Sequence, residues 1–426
     1  MFATLTMNTW DHAWVALSVM LVSGLIVGKW SERLRVPDVA LFLVLGIALG
    51  PYGFSWFSEP VQAETNQFIL NLGAAIILFD GGRSVQVSVL RSVWVTITSL
   101  ATVGVLITAF VMALVVHGLL HLDWTTAWLL AAVIASTDPA TLIPVFKRYP
   151  IQARLQQTLE SESAFNDATA SVLVFSLLAV VQGVAGGNPQ NTRASGIVLH
   201  ALMNFLLSAG VGLASGVVCG VIALWLISDR GFGAFHEFAS LVLLGGLLSS
   251  YAIATALGAS GLMAAFAAGI VTGNGEVFRL PLMEHTELNI RHFGNTMTLL
   301  MRIFIFVLLG TQVDFHAVGH NLVPGLLGVG ALMFLARPLT VLASASWDRR
   351  AKWSVKELVM MSWVRETGVI PAVLAGVVVS RNIAGSQLIA SVTFLAILVT
   401  ILVQATSTPL VARSLGLMAT PIEEDV

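Results

Sequence analysis

The stretch LESESAFNDATA, Leu159 to Ala170, places Glu160, Glu162 and Asp167 among two serines and an asparagine, and apolar chain follows it directly. On a helix, Ser163, Asn166 and Asp167 stand at i, i+3 and i+4 and share one face, with Glu162 one turn before Asn166. Oxygen-rich side chains grouped this way can hold a hard cation or a proton. A second such group lies upstream, at Ser136-Thr137-Asp138-Pro139, with Pro144 close behind. Proline removes a backbone donor and clashes with the preceding turn, while Ser, Thr and Asp favour caps and turns. The helix carrying them is therefore expected to break near its middle, with Asp138 capping the inner half. Downstream, Arg337 in FLARPLTVL and Arg365-Glu366 in WVRETGVIPAVLA put two guanidinium groups inside apolar runs. A guanidinium cannot neutralise itself by losing its proton, so each needs a carboxylate or carbonyl partner.

The elements that position these groups follow from composition. The chain has 426 residues, 57% hydrophobic and 10% charged. Soluble domains average about 25% charged residues, so a polytopic, all-α membrane protein is expected. A net charge of −2 gives no footing for nucleic acid, and a single cysteine excludes an intrachain disulfide. No Walker A sequence supports ATP drive. The first apolar run lacks a basic leader and a small-residue cleavage site, so it is expected to stay as the first helix. Apolar runs of about 20 residues mark bilayer crossings. Thirteen candidate spans lie near 13–29, 37–50, 66–80, 88–117, 125–147, 155–182, 197–228, 237–257, 260–273, 289–311, 322–346, 355–379 and 386–412. Asp80-Gly81-Gly82-Arg83 reads as a turn after the third. With the N-terminus outside, sixteen Lys and Arg fall in inner loops and two, Arg193 and Arg381, in outer loops. The positive-inside rule then predicts an outer N-terminus and a cytoplasmic C-terminus in a cell membrane. Arg302, Arg337 and Arg365 remain at membrane depth.

Counted at 1.5 Å per residue from Arg154, Asp167 lies roughly 20 Å up its helix, near the midplane. Asp138 is near the middle of its own span. Acidic groups at that depth usually mark an ion or proton path. Interrupted hydrophobic segments in matching halves, here the fifth and twelfth spans, point to an inverted-repeat transporter. Two other classes compete. Paired aspartates invite an intramembrane protease, but no GxGD occurs, and Ser260 in Gly258-Ala259-Ser260-Gly261 has no histidine at its depth to activate it. A cation channel would use the same polar residues without obligate exchange.

STDPATLIPVF followed by ESESAFNDATA closely resembles the paired motifs of cation–proton antiporters, specifically NhaP-type sodium/proton antiporters related to animal sodium/hydrogen exchangers. GASGLMAAFAAGIVTGN, FLARPLTVL and WVRETGVIPAVLA resemble the later motifs of that family, in order. Glu366 departs from the pattern, since glycine often follows this arginine in the family. The resemblance implies a transporter rather than an enzyme, with no cofactor. It implies electroneutral one-for-one exchange of Na⁺ or Li⁺ for H⁺, with K⁺ as the alternative cation. It implies a homodimer in the lipid membrane. Scaffold helices would lie in 1–87 and 184–319, transport-core helices in 88–183 and 320–413, and a short cytoplasmic tail in 414–426. Carried over by position, Asp167, Asp138, Ser163, Thr137 and Glu162 form the cation- and proton-binding set. Asp167, Ser163, Thr137 and Glu162 would offer oxygens to the metal ion, and Asp138 would act through water or the helix break. Asn166, Arg337 and Arg365 would stabilise the site, with Arg337 pairing Glu162.

Overall fold

The computed structural model describes residues 9–34, 37–56, 64–138, 142, 145–146, 149–181, 194–313 and 315–419. Among them the chain is helical throughout, apart from loops and one isolated bridge between Ile151 and Met418. Eight helices are long and apolar enough to cross a membrane by length and composition. Asp38–Leu49, Trp124–Val133, Gly261–Gly273 and Val369–Ser380 are shorter apolar helices. Helix occupies part of every span expected from the sequence.

In chain order, α1 is Thr9–Leu34, α2 Asp38–Leu49 and α3 Glu64–Ser84. α4 runs as Val87–Ser99, a wide π turn at Leu100–Gly104, and Val105–Leu120. α5 is Trp124–Val133, α6 Ala153–Val181, α7 Ala194–Ile227, α8 Ala239–Ala256, α9 Gly261–Gly273 and α10 Glu284–Thr311. α11 comprises Leu322–Ala331, a π turn at Leu332–Ala336, and Arg337–Ala345. α12 is Val355–Trp363 and α13 Val369–Ser380. α14 comprises Ser386–Thr400, a π turn at Ile401–Ala405, and Thr406–Leu415.

The packing sorts into two groups. α9 lies between α7 and α3, α8 packs on α7, and α10 packs on α2 and α3. Small residues make this closeness possible, because helices in lipid associate through van der Waals contact between backbones. A Cβ at Gly216 of α7 would strike the Ala264 carbonyl, and one at Gly269 of α9 would strike the Phe79 carbonyl of α3. In the second group α4, α5 and α6 pack on one another, α11 packs on α4, and α14 contacts α5, α12 and α13. α6 also touches α3, α9 and α13 and so sits between the groups. That position explains why most of its polar residues, including Glu160, Glu162, Ser163, Asn166 and Asp167, are buried.

One local expectation changes. Asp80 to Arg83 do not form a turn: α3 continues through Ser84, and Asp80 faces Arg83 across one helical turn at 3.7 Å. Ser260 N-caps α9, its hydroxyl accepting from the Met263 N–H at 3.2 Å, which is a helix-starting role. In α11 the π turn ends just before Arg337-Pro338. Proline has no N–H and crowds the carbonyl four residues back, so a widened turn is where the ladder yields.

A crossing of two unwound chains as candidate ion site

α5 starts on Asp123, whose carboxylate accepts from the Thr126 N–H at 3.0 Å. It stops after Val133, and residues 135–138 leave the helix. The sequence explains the stop: three cap-forming residues precede Pro139, and the residue before a proline is turned away from α geometry. Pro139 and Pro144 themselves lie outside the described residues, as does much of the inner half that Asp138 was expected to cap. α12 opens with a Ser354–Glu357 capping box and stops at Trp363, and residues 364–368 are again non-helical before α13.

These two unwound stretches cross. The Asp138 N–H donates to the Glu366 carbonyl at 2.9 Å. The Asp138 carboxylate lies against Gly368, where a Cβ would clash with it outright. Gly368 precedes the first residue of α13 and makes no side-chain cap. Asp138 therefore stands at the N-terminus of α13, where the unsatisfied N–H groups and the helix dipole favour an anion. The matching positive charge sits at the other end of the crossing. Arg365 donates to the carbonyls of Ile134 and Ala135, at 2.7 and 3.1 Å, just where α5 runs out of partners. It also donates to the Thr367 hydroxyl at 3.4 Å.

α6 supplies the third wall. The Asn166 amide grips Thr137 twice: its oxygen accepts from the Thr137 N–H at 3.0 Å and its nitrogen donates to the Thr137 hydroxyl at 2.7 Å. The Ser163 and Thr137 hydroxyls are 2.7 Å apart. Glu162 receives both terminal nitrogens of Arg337, at 2.5 and 2.8 Å, while the Arg337 Nε donates to the Met361 carbonyl at 2.9 Å. All these side chains are at most 3% exposed. A bidentate guanidinium–carboxylate pair is the geometry that keeps buried charges balanced.

Asp167 is different. It is 1% exposed, and its Oδ1 makes no hydrogen bond among the described residues. The Ser136 hydroxyl lies beside it outside good hydrogen-bond geometry, and the Asp138 charge acts on it. An unmatched buried oxygen beside Ser136, one helical turn from the Ser163 hydroxyl that meets Thr137, can accept a proton or help surround a small cation, since hard cations take oxygen ligands. The structure thus brings Asp167, Asp138, Ser163, Thr137 and Asn166 together at the crossing, with the Glu162–Arg337 pair on the same stretch of α6 and Arg365 at the end of α5. A cavity of 580 Å³ between α3, α6, α9 and α10 is lined by Gln156, Glu160, Asp80, Asn274 and Thr298. Glu160 is seven residues before Asp167, about 10 Å along the helix.

Several contributors were not read from the sequence. The Thr367 N–H donates to the Thr400 hydroxyl at 3.0 Å, and Gln404 donates to the Trp363 carbonyl at 2.6 Å. α14 therefore holds the second unwound stretch from behind. The available signal was two polar residues four apart inside an otherwise apolar run, which places both on one helix face. Arg302, without a role in the sequence, meets Asp38 at the start of α2 at 3.3 Å.

Comparison with known proteins adds independent evidence. The family model described as "Sodium/hydrogen exchanger, transmembrane" matches residues 17–414. Na(+)/H(+) antiporter 1 of Methanocaldococcus jannaschii is 30% identical over 427 residues, covering 94% of this chain and 95% of that protein. K(+)/H(+) antiporter NhaP2 of Shewanella sp. (strain ANA-3) is 30% identical over 93% of this chain, which spans 66% of that protein's length. The solved structure of the sodium proton antiporter MjNhaP1 from Methanocaldococcus jannaschii at pH 8 superposes with a TM-score of 0.81 at 28% identity. It covers 95% of this chain and 99% of that one.

Proposed function

The chain belongs to the sodium/hydrogen exchanger family, and on that premise we propose that it exchanges a monovalent cation for a proton across its membrane, with Asp167 holding one or the other. The observation that carries this reading is the buried Asp167 oxygen without a hydrogen-bond partner, close to Ser136 and on the same helix as Ser163, whose hydroxyl meets that of Thr137. An empty, ionised carboxylate at that depth is stranded in a low-dielectric barrier at a cost of several kcal/mol. A bound proton or a bound cation removes that cost, so only the loaded forms cross, and exchange is coupled.

The neighbouring groups divide the remaining work. Thr137 and Ser163 offer neutral oxygens to the cation, and Asn166 fixes Thr137 in place. Asp138, at the N-terminus of α13, adds negative field through solvent or the helix break. Glu162, with both oxygens turned to Arg337, braces α6 against α11, and it offers an oxygen to the ion only where Arg337 withdraws. The 580 Å³ cavity lined by Glu160 serves, in this reading, as the approach from the cytoplasm. With one carboxylate alternating between ligands, each cycle moves one charge in each direction and is electroneutral. Na⁺ or Li⁺ is the preferred cation in this reading and K⁺ the alternative; relatives named for Na(+)/H(+) and for K(+)/H(+) exchange support keeping both Na⁺ and K⁺.

In this reading α4–α6 and α11–α14 move as a transport core against a scaffold of α1–α3 and α7–α10. The scaffold pairs two copies as a homodimer, and the N-terminus faces outward. The test is proton release from proteoliposomes on addition of Na⁺, Li⁺ or K⁺. Wild type responds to at least one cation. Asp167→Asn inserts normally and gives no cation-driven proton movement. Coupled exchange surviving in that variant would overturn the assignment.

A further inference from the structure

Glu366 lies in the middle of the second unwound stretch and is wholly buried, at 0% exposure. Its backbone carbonyl is committed to Asp138, yet no other residue hydrogen-bonds either oxygen of its carboxyl group, which has only its own backbone N–H beside it. The charges acting on it are Asp138 beyond α5, Arg337 on α11 and its own neighbour Arg365. Neither arginine serves it. Arg337 spends its donors on Glu162 and Met361, and Arg365 spends its own on Ile134, Ala135 and Thr367. A buried carboxylate with no ion pair and no donor from another residue is among the least tolerable groups in a protein interior; the neutral acid is not. The proton on that acid is also not needed by the mechanism above, which uses Asp167 alone.

We propose that Glu366 is a second proton-binding site, whose carboxyl group holds a proton in this dry arrangement of the crossing and releases it when movement of the core admits water there. On release the O–H bond breaks, the proton passes to that water, and the carboxylate keeps the electron pair. Arg365, one residue away, is then the adjacent positive charge that meets the new negative one. The proton at Glu366 and the ligand at Asp167 share one electrostatic neighbourhood through Asp138, so occupancy at either changes the other. The functional consequence rests on antiport at the crossing; the protonation itself does not.

Infrared difference spectroscopy on the full-length protein in lipid, titrated from about pH 5 to about pH 10, reads the carboxyl proton directly. In an Asp167→Asn background a protonated-carboxyl band remains at neutral pH, titrates away at high pH, and is missing from the Asp167→Asn/Glu366→Gln double variant. Should the double variant fail to fold, Asp167→Asn/Glu366→Gly serves in its place. In exchange assays Glu366→Gln moves the pH of half-maximal rate by about one unit. A carboxyl band absent in Asp167→Asn at all pH values, or unchanged by both Glu366 substitutions, would overturn the proposal. An unshifted pH profile would overturn the link to exchange. Failure of the antiport reading has a separate signature, namely coupled exchange persisting in Asp167→Asn, whatever the Glu366 band does.

Discussion

Glu162 delivers both carboxylate oxygens to Arg337, while Asp167, five residues later on the same helix, leaves one oxygen unmatched. Two acids of similar chemistry thereby sit in different surroundings, and in the proposed mechanism one is a fixed counter-charge while the other exchanges ligands. The pairing predicts a specific pattern of variants. Removing one member of a buried ion pair strands the other and is destabilising by about 3–5 kcal/mol, whereas replacing both with neutral groups of similar size is milder. Glu162→Gln and Arg337→Met should each lower the melting temperature of the detergent-solubilised protein markedly. The double variant should lie closer to wild type than either single. A double variant whose loss equals the sum of the singles would show that the two are not energetically coupled. The i, i+3, i+4 grouping of Ser163, Asn166 and Asp167 was legible without coordinates, because helix periodicity alone aligns them. That Asn166 would grip Thr137 by both backbone and hydroxyl is a contact 29 residues apart, and only the folded geometry supplies it.

At the scale of elements, α4, α6 and α12 are tied by a polar knot in the loop between α11 and α12. Asp348 accepts from the Thr96 N–H and hydroxyl on α4, at 3.1 and 2.6 Å, and from the N–H groups of Arg350 and Ala351. Trp353 donates to the same Thr96 hydroxyl at 2.8 Å, and Arg154 of α6 stacks over Trp353 while pairing Glu357 at 2.6 Å. Burial pushes the Asp348 carboxyl up, but the hydrogen bonds from Thr96, Ala351 and Arg350 outweigh it and hold the group below the usual carboxylate range. A group depressed in the folded state contributes stability above its unfolded value of about 3.9, and that contribution is lost as pH falls through the lower folded value. Asp348→Asn should therefore melt below wild type at pH 7, with the gap closing as pH drops under about 4. A gap that stays constant down to pH 3 would mean that Asp348 acts by packing rather than as an anion. The helix breaks were legible from Pro and Gly in apolar runs. The supports from Thr400 and Gln404 were not, since a lone polar residue in a span equally well bonds its own helix.

Across the whole molecule, α6 sits at the boundary between the two packed groups, and the cavity lined by Glu160 lies between α6 and α3, α9 and α10. The proposed movement of core against scaffold predicts a change in water access along this part of α6. Gln157 lines that cavity, and the single native cysteine, Cys219, lies on α7. In a Cys219→Ser background, Gln157→Cys should react with a water-soluble maleimide at a rate that changes several-fold when Na⁺ or Li⁺ is added. The change should vanish when Asp167→Asn is also present. A labelling rate indifferent to cations in both backgrounds would separate the cavity from the transport cycle.

Composition, the apolar runs and the mid-depth acids decided early that this chain spans a membrane as helices and handles a cation or proton there. These follow from solvation energies that are local to each segment: lipid rejects unpaired backbone and charge wherever they occur in the chain. Tertiary structure decided which arginine meets which partner. It put Asp138 at the N-terminus of α13, and it left Glu366 with a buried carboxyl group that no other residue hydrogen-bonds. Those outcomes depend on where two unwound stretches more than 220 residues apart come to cross, Asp138 against Glu366, and on side-chain geometry that no single segment contains.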